Sequence, residues 1–368
     1  MGFMVIRPGF ILACILSFVV MESCQDTGIT PGDDLTSIPY QPIPYTVAIP
    51  EGFPALEQPL DNPMTVDGIR LGRKLFYDPL LSIDSTVSCS SCHLPSKSFS
   101  DGLAFSQGVA GITRRGSIGL VNVGLAYHGL FWDGRAKTLE DLALIPIEDP
   151  IEMAESWDRV EQKLQKHSHY PGDFRRAFGI QSVSEIDRYL AAKAIAQFLR
   201  SIVSGGNTKY DRFIRGEIFL EENEFNGYLM FFDIDQSVPR AECGHCHNVP
   251  LFATNDYFNN GLQESPDLLS FNDLGLGKVT GVPSDNGKFK PPTLRNLAFT
   301  APYMHDGRFN TLQEVIDHYN SGGKNSPNKS TFLYPLHLSE SQKADLLAFL
   351  MTLTDSTTLT NPEYQSPF

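Results

Sequence analysis

The chain has 368 residues, of which 41% are hydrophobic, 20% charged and 11% aromatic, a composition that excludes wholesale disorder. At roughly 100–200 residues per domain, that length suggests about two domains with sizeable cores. Lys and Arg number 29 against 43 Asp and Glu, so the net charge is -14; nothing favours binding a phosphate backbone, and a cationic partner suits the chain better than nucleic acid.

An apolar run over 10–21 follows Arg7 and is 12 residues long, too short to span a bilayer, so it reads as the core of a signal peptide. Ser23 before Cys24, and the polar Gln25-Asp26-Thr27-Gly28 tract after it, resemble a bacterial lipoprotein signal. On that reading residues 1–23 are removed and Cys24 becomes the lipidated N-terminus, an anchor to the membrane on the periplasmic side of the cell envelope. Met21 and Glu22 depart from the usual lipobox, and a plain secretory signal is the alternative. Either way the chain leaves the cytosol. Residues 24–58 hold Pro31, Pro39, Pro42, Pro44, Pro50 and Pro54 and read as an extended tether.

Repetition divides the remainder. Cys89-Ser90-Ser91-Cys92-His93, then Leu130-Phe131-Trp132-Asp133-Gly134-Arg135, then Thr138-Leu139-Glu140 are matched by three motifs in the same order. These are Cys243-Gly244-His245-Cys246-His247, Tyr303-Met304-His305-Asp306-Gly307-Arg308 and Thr311-Leu312-Gln313. The second copy has extra length between its motifs, and the Gly- and Asn-rich stretch 259–292 is the natural place for it. Residues 59–204 and 205–355 therefore form two domains, with 356–368 a tail. Helical spacing of Ile186, Leu190, Ala194, Ile195, Phe198 and Ile202 predicts a closing helix for the first, behind a capping box at Ser184 to Asp187; Gly205-Gly206 marks the boundary. Leu346, Leu347, Leu350 and Leu353 predict its counterpart behind Ser339-Glu340-Ser341-Gln342. A further helix is expected before each cysteine motif, around 69–77 and 225–232, and strand signals are sparse. The fold class is mainly α, in two domains.

In C-x-x-C-H two thiols form thioethers to the haem vinyl groups and the adjacent His places an imidazole under the iron. Paired zinc sites bring their C-x-x-C units within about 15–20 residues, against 150 between Cys92 and Cys243. A thioredoxin-like pair needs a βαβ setting that the sequence lacks. The reading is two covalently bound haem c groups, held by Cys89, Cys92 and His93 and by Cys243, Cys246 and His247.

From about Pro54 to Asp355 the chain resembles the bacterial dihaem cytochrome c peroxidase superfamily, including its MauG-like branch. The likeness rests on both haem motifs, Phe131-Trp132-Asp133-Gly134-Arg135, Pro146 with Glu152-Met153, and Pro292-Thr293-Leu294-Arg295-Asn296 running on to Pro302-Tyr303-Met304-His305-Asp306-Gly307. The resemblance implies two mainly α, cytochrome c-like domains, each with one covalent c-type haem, in which His93 serves the peroxidatic haem and His247 the electron-transfer haem. It places Glu152 as the distal acid that relays a proton across the peroxide, and Trp132 as the aromatic between the haems. Alone, Glu152 reads as a surface carboxylate and Trp132 as core packing. Two residues compete as distal ligand of the second haem: Met304, and Tyr319, which lies 14 residues beyond His305 where MauG-like proteins place a tyrosine.

Some positions depart from the family pattern. Residues 99–122 contain no His or Met, so no side chain there can cap the first iron, and His128 reads as a surface residue. Leu142 replaces a glutamine expected to touch bound oxygen. An interdomain calcium is implied, held by carbonyls at Thr300 and Pro302, but the asparagine that completes it falls at Gly116, leaving that ligand to water. His245, His167 and His169 read as solvent-facing, and Arg114-Arg115 either as a propionate contact or a solvated turn. The function implied is hydrogen peroxide reduction with electrons from a small periplasmic donor such as cytochrome c. The alternatives are MauG-like oxidation of residues in a partner protein and a noncatalytic dihaem carrier.

Overall fold

The structure, a computed structural model, describes residues 1–2, 33–126 and 129–368; Cys14, Cys24 and His128 lie outside the described residues. Helix α1 (Val66–Tyr77) starts where the Thr65 side chain accepts the Gly68 N–H at 3.0 Å, and it buries Leu71, Leu75 and Phe76. A single turn, α2 (Cys89–Cys92), carries the first cysteine pair. The first unit is completed by α3 (Leu139–Glu148), α4 (Trp157–Lys166), α5 (Tyr170–Phe178) and α6 (Arg188–Ser201). In the second, α7 (Lys209–Ile214) and α8 (Glu222–Phe231) precede the second cysteine pair, and α9 (Gly277–Thr280) is one turn inside the long loop. There α10 (Leu312–Asn320) and α11 (Glu340–Met351) follow, and α12 (Thr357–Thr360) is a last turn in the tail. Among the described residues the only sheet is the hairpin of Gln107–Gly108 and Gly111–Ile112. The mainly α expectation holds.

Helices α1 and α8 fall where the apolar pattern puts them. So does the start of α11, where Ser339 and Gln342 cap each other reciprocally. The start of α6 differs from expectation. Ser184 is taken up in a 3-10 turn closed by Ser182 and Glu185, and it is Asp187 that caps α6, accepting the Leu190 N–H at 2.8 Å.

Each unit has its own core, and both are built on the same crossing. Helix α1 crosses α6 and α8 crosses α11. A Cβ on Gly72 would stand 1.8 Å from the Ala194 carbonyl oxygen, and one on Gly227 2.1 Å from that of Asp345, so in both halves a glycine lets two backbones touch. Four residues on, Phe76 meets Phe198 at 5.2 Å and Phe231 meets Phe349 at 5.1 Å, filling the space beside the crossing. Gly-x-x-x-Phe ahead of each cysteine pair is thus a further element of the repeat. Gly72→Ala and Gly227→Ala must force the helices apart, and each is expected to cost about 1–3 kcal/mol, seen as an earlier midpoint in denaturant; an unchanged midpoint would show that the crossing relaxes freely.

The junction of the units is polar and buried. Asn122 and Asn296, at φ 61 and 62, converge on Ser204. Asn122 brackets the Ser204 backbone with two bonds of 2.9 Å, and the Asn296 amide donates to Ser204 Oγ at 3.1 Å. Arg295 pairs with Asp211 at 2.8 Å, with 1% of its side chain exposed. Residues beyond the second unit return to the first: Tyr364 is buried against Phe99 and its hydroxyl donates to Ser201 O at 3.0 Å. The segment ahead of α1 is also packed, with Leu35 and Val47 buried and the Tyr45 N–H donating to Met64 O at 3.0 Å.

Candidate active site

The two cysteine motifs sit at equivalent points of the repeat, and none of the four cysteines is in a disulfide. His93 Nδ1 lies 2.8 Å from Phe99 O, and His247 Nδ1 lies 3.1 Å from Phe252 O. A carbonyl can only accept, so each ring carries its proton on Nδ1 and leaves the Nε2 lone pair free, the tautomer a metal ligand needs. Phe99 and Phe252 are fully buried at positive φ, which fixes the two accepting carbonyls. Burial pushes the Cys89 and Cys243 thiols up to about 12 and lowers the His247 imidazole to about 4, so both groups are neutral. Cys89, Cys92 and His93 line one cavity, and Cys243, Cys246 and His247 line a second, largely apolar one. Two free thiols and an imidazole with an unprotonated Nε2 on the wall of each cavity fit one covalent haem c apiece. Protein denatured in acid is accordingly expected to retain the mass of two haems, whereas release of haem on unfolding would remove the assignment.

Glu152 lies beside the first cysteine pair, close enough for its charge to act on both thiols. The hairpin holds it there: Val109 N–H donates to Glu152 O at 2.9 Å, and a Cβ on Gly108 would stand 2.0 Å from Ile151 O, so only glycine permits this approach. Burial and the neighbouring Asp149 charge, partly offset by Arg135, push the Glu152 carboxyl up to about 7. The segment 99–122 contributes Ser106, Gly108, Thr113 and Arg115 to this cavity and no ligand for iron. Arg115 is no solvated turn residue: its guanidinium pairs with Asp133 and with Asp273, both at 2.7 Å, tying the first unit to the long loop of the second.

Trp132 lines both cavities, as does Leu142. The indole N–H donates to Gly116 O at 2.9 Å, which holds the ring from the first unit, and Trp132 O accepts the Lys290 N–H at 2.9 Å, which ties its backbone to the second. The turn that presents it recurs in the second half. Leu130 bridges Ala136 and Tyr303 bridges Phe309, and Phe131 and Met304 share a positive φ of 63 and 77.

Met304 and Tyr319 both line the second cavity, and Asn260 joins them: its amide nitrogen is 3.5 Å from Met304 Sδ and 3.3 Å from Tyr319 Oη. His318 Nε2 donates to Asn260 O at 2.9 Å and holds that side group's backbone in place. Burial pushes the Tyr319 phenol up to about 12, with the Asn260 bond opposing. Gly116, Thr300 and Pro302, the expected calcium positions, share a wall of this cavity. Gly116 offers no side-chain ligand, and a Cβ there would stand 3.0 Å from the carbonyl oxygens of Leu103 and Ala104, so the donor set expected for calcium is incomplete.

Neither Asn260 nor the pairing of Asn122 with Asn296 across Ser204 is announced by the sequence, and the ion pairs of Arg115 differ from both roles expected of it. The one available signal was the matching Leu-x-Asn at Leu120 and Leu294.

The family model for di-haem cytochrome c peroxidase matches residues 66–218. The methylamine utilization protein MauG of Methylorubrum extorquens is 38% identical over 310 residues, 83% of this chain and 82% of that protein. Cytochrome-c peroxidase IdrP1 of Pseudomonas sp. (strain SCT) is 33% identical over 346 residues, 86% of this chain and 88% of its own length. The crystal structure of a MauG-like protein associated with microbial copper homeostasis is similar at 35% identity and a TM-score of 0.78, covering 88% of this chain and 99% of that one. With two equivalent haem-binding cavities bridged by one tryptophan, and relatives matching over most of their length, the chain belongs to the di-haem cytochrome c peroxidase family.

Proposed function

We propose that this oxidoreductase reduces hydrogen peroxide to water in the cavity of His93, with electrons delivered one at a time through the second unit by a small periplasmic protein such as a cytochrome c. The observation that carries the reading is the pairing of a carboxyl poised near neutrality, Glu152, with an aromatic shared by both cavities, Trp132. A mere electron carrier has no use for the first. When bound, the two c-type haems supply one iron that takes peroxide and one that exchanges electrons. Glu152 accepts a proton from one peroxide oxygen and returns it to the other, and its position is held by Gly108 and Val109. Trp132 gives electrons a path between the cavities. Two electrons and two protons convert each peroxide into two waters. The N-terminal sequence supports export and a lipid anchor at Cys24 on the periplasmic side.

A second reading is oxidation of residues in a partner protein. Tyr319 favours it, since its phenolate, were it to hold the second iron, would stabilise the oxidised metal and suit that unit to storing oxidising equivalents. Steady-state peroxide reduction with a reduced donor, measured on purified protein with and without prior reduction, separates both enzyme readings from a carrier, and oxidised side chains appearing in a partner protein separate the second reading from the first. Because residues 99–122 provide no iron ligand, turnover with a reduced donor is expected without prior reduction of the enzyme. No turnover under either condition would leave only the carrier.

A further inference from the structure

The second cysteine motif carries a cluster that neither haem attachment nor peroxide chemistry uses. His245 lies between Cys243 and Cys246 with 43% of its side chain exposed, while those of Glu242 and Asp233 are 12% and 14% exposed. His245 Nε2 is 2.8 Å from Glu242 Oε2 and 3.5 Å from Asp233 Oδ2, and one donor atom from each of the three lies within 4.8 Å of the others.

Each of these side chains is also held from behind. The other Glu242 oxygen accepts the Tyr334 hydroxyl at 2.6 Å. The other Asp233 oxygen accepts the Ala241 N–H at 3.2 Å and the Glu242 N–H at 3.4 Å. The imidazole stacks on Phe332, 4.3 Å between ring centres and 8° from parallel. Hydrogen bonds that fix the far oxygen of each carboxylate, and a ring that orients the imidazole, while the near atoms converge are the pattern of a metal site. The two carboxylates, each little exposed, converge with the imidazole on one point. A cation there would offset the repulsion of two like charges.

We propose that Asp233, Glu242 and His245 bind a divalent first-row transition-metal ion. One imidazole nitrogen and two carboxylate oxygens make a set that zinc-like ions accept in tetrahedral geometry with a fourth position open to water. Calcium asks for six to eight oxygens, and no thiolate is available for a soft ion, because Cys243 and Cys246 are committed to thioethers. The ion would sit on the same five-residue motif as His247. Its positive charge would favour the reduced form of the second haem and raise that haem's potential.

The test is a calorimetric titration of haem-loaded protein with Zn²⁺, after EDTA treatment and in Ca²⁺-containing buffer so that any oxygen-lined site is already filled. One saturable equivalent is expected. His245→Gln and Asp233→Asn should abolish it, and Tyr334→Phe, which removes no ligand, should weaken it about 10-fold or more. Absorption spectra of both haems should be unchanged in all three variants, which shows that they fold. Zn²⁺ should raise the potential of the second haem in the native protein and not in His245→Gln. Absence of saturable uptake, or uptake undiminished in His245→Gln and Asp233→Asn, would overturn the site and leave the cluster as a set of side-chain contacts alone.

Discussion

Replacing Glu152 with glutamine is expected to lower peroxide turnover by about 100-fold or more, the scale of losing a positioned general acid–base, while both haem spectra stay as they are. Glutamine keeps the size of the side chain and its place behind the hairpin, so the loss isolates the proton. The pH dependence carries the sign. Burial and Asp149 raise the carboxyl to about 7, so below that value it is protonated and cannot take the proton of incoming peroxide. kcat/KM for peroxide should therefore rise with pH through about 7 and level off above it. In Glu152→Gln that limb should vanish, leaving a low and flat profile across the same range. A limb that survives the substitution would assign the proton transfer to another group, and turnover close to native would remove Glu152 from the chemistry.

What was legible in the chain was local or repeated. The C-x-x-C-H motifs, the Asp-Gly-Arg turns and the apolar faces of α1, α6, α8 and α11 each declare themselves within a few residues, and their duplication gives the two-unit plan. Partners set by packing were not legible. Gly72 has meaning only against the Ala194 carbonyl, and Gly227 only against that of Asp345. Arg115 looks like half of a solvated dibasic turn until the loop carrying Asp273, 158 residues away, folds onto it. Tyr364 reads as part of a tail, yet its burial against Phe99 places it behind the carbonyl that orients His93. The cap of α6 moved by a few residues for a local reason that composition conceals, because a serine-rich stretch offers several capping boxes and the adjoining 3-10 turn takes one of them.

Tyr319→Phe is expected to abolish the low-spin signal of the second haem in low-temperature spin resonance, and Met304→Leu to leave it in place. Both side chains line the cavity of His247, and Asn260 contacts both, so proximity alone does not choose between them. The backbone does. Met304 has a φ of 77 because it occupies the same turn as Phe131, with a φ of 63, and Phe131 can ligate nothing; the turn needs that conformation whether or not a ligand is carried. Tyr319 carries no such backbone constraint: it lies within α10 and lines the cavity together with Leu312 and Ile316. Its hydroxyl instead receives the Asn260 amide, a donor that would stabilise a phenolate once the proton has left. Burial holds the phenol up to about 12, so it ionises only if a metal takes the proton's place, and the ligand forms with the loaded protein. A hard anionic oxygen lowers the potential of the iron it binds, whereas a thioether raises it. A tyrosine ligand would therefore shift the second unit from delivering electrons toward storing oxidising power, the second of the two proposed readings. Loss of the low-spin haem in Met304→Leu, with a sulfur-to-iron charge-transfer band in the native protein and no change in Tyr319→Phe, would reverse the assignment and restore the electron-delivering peroxidase.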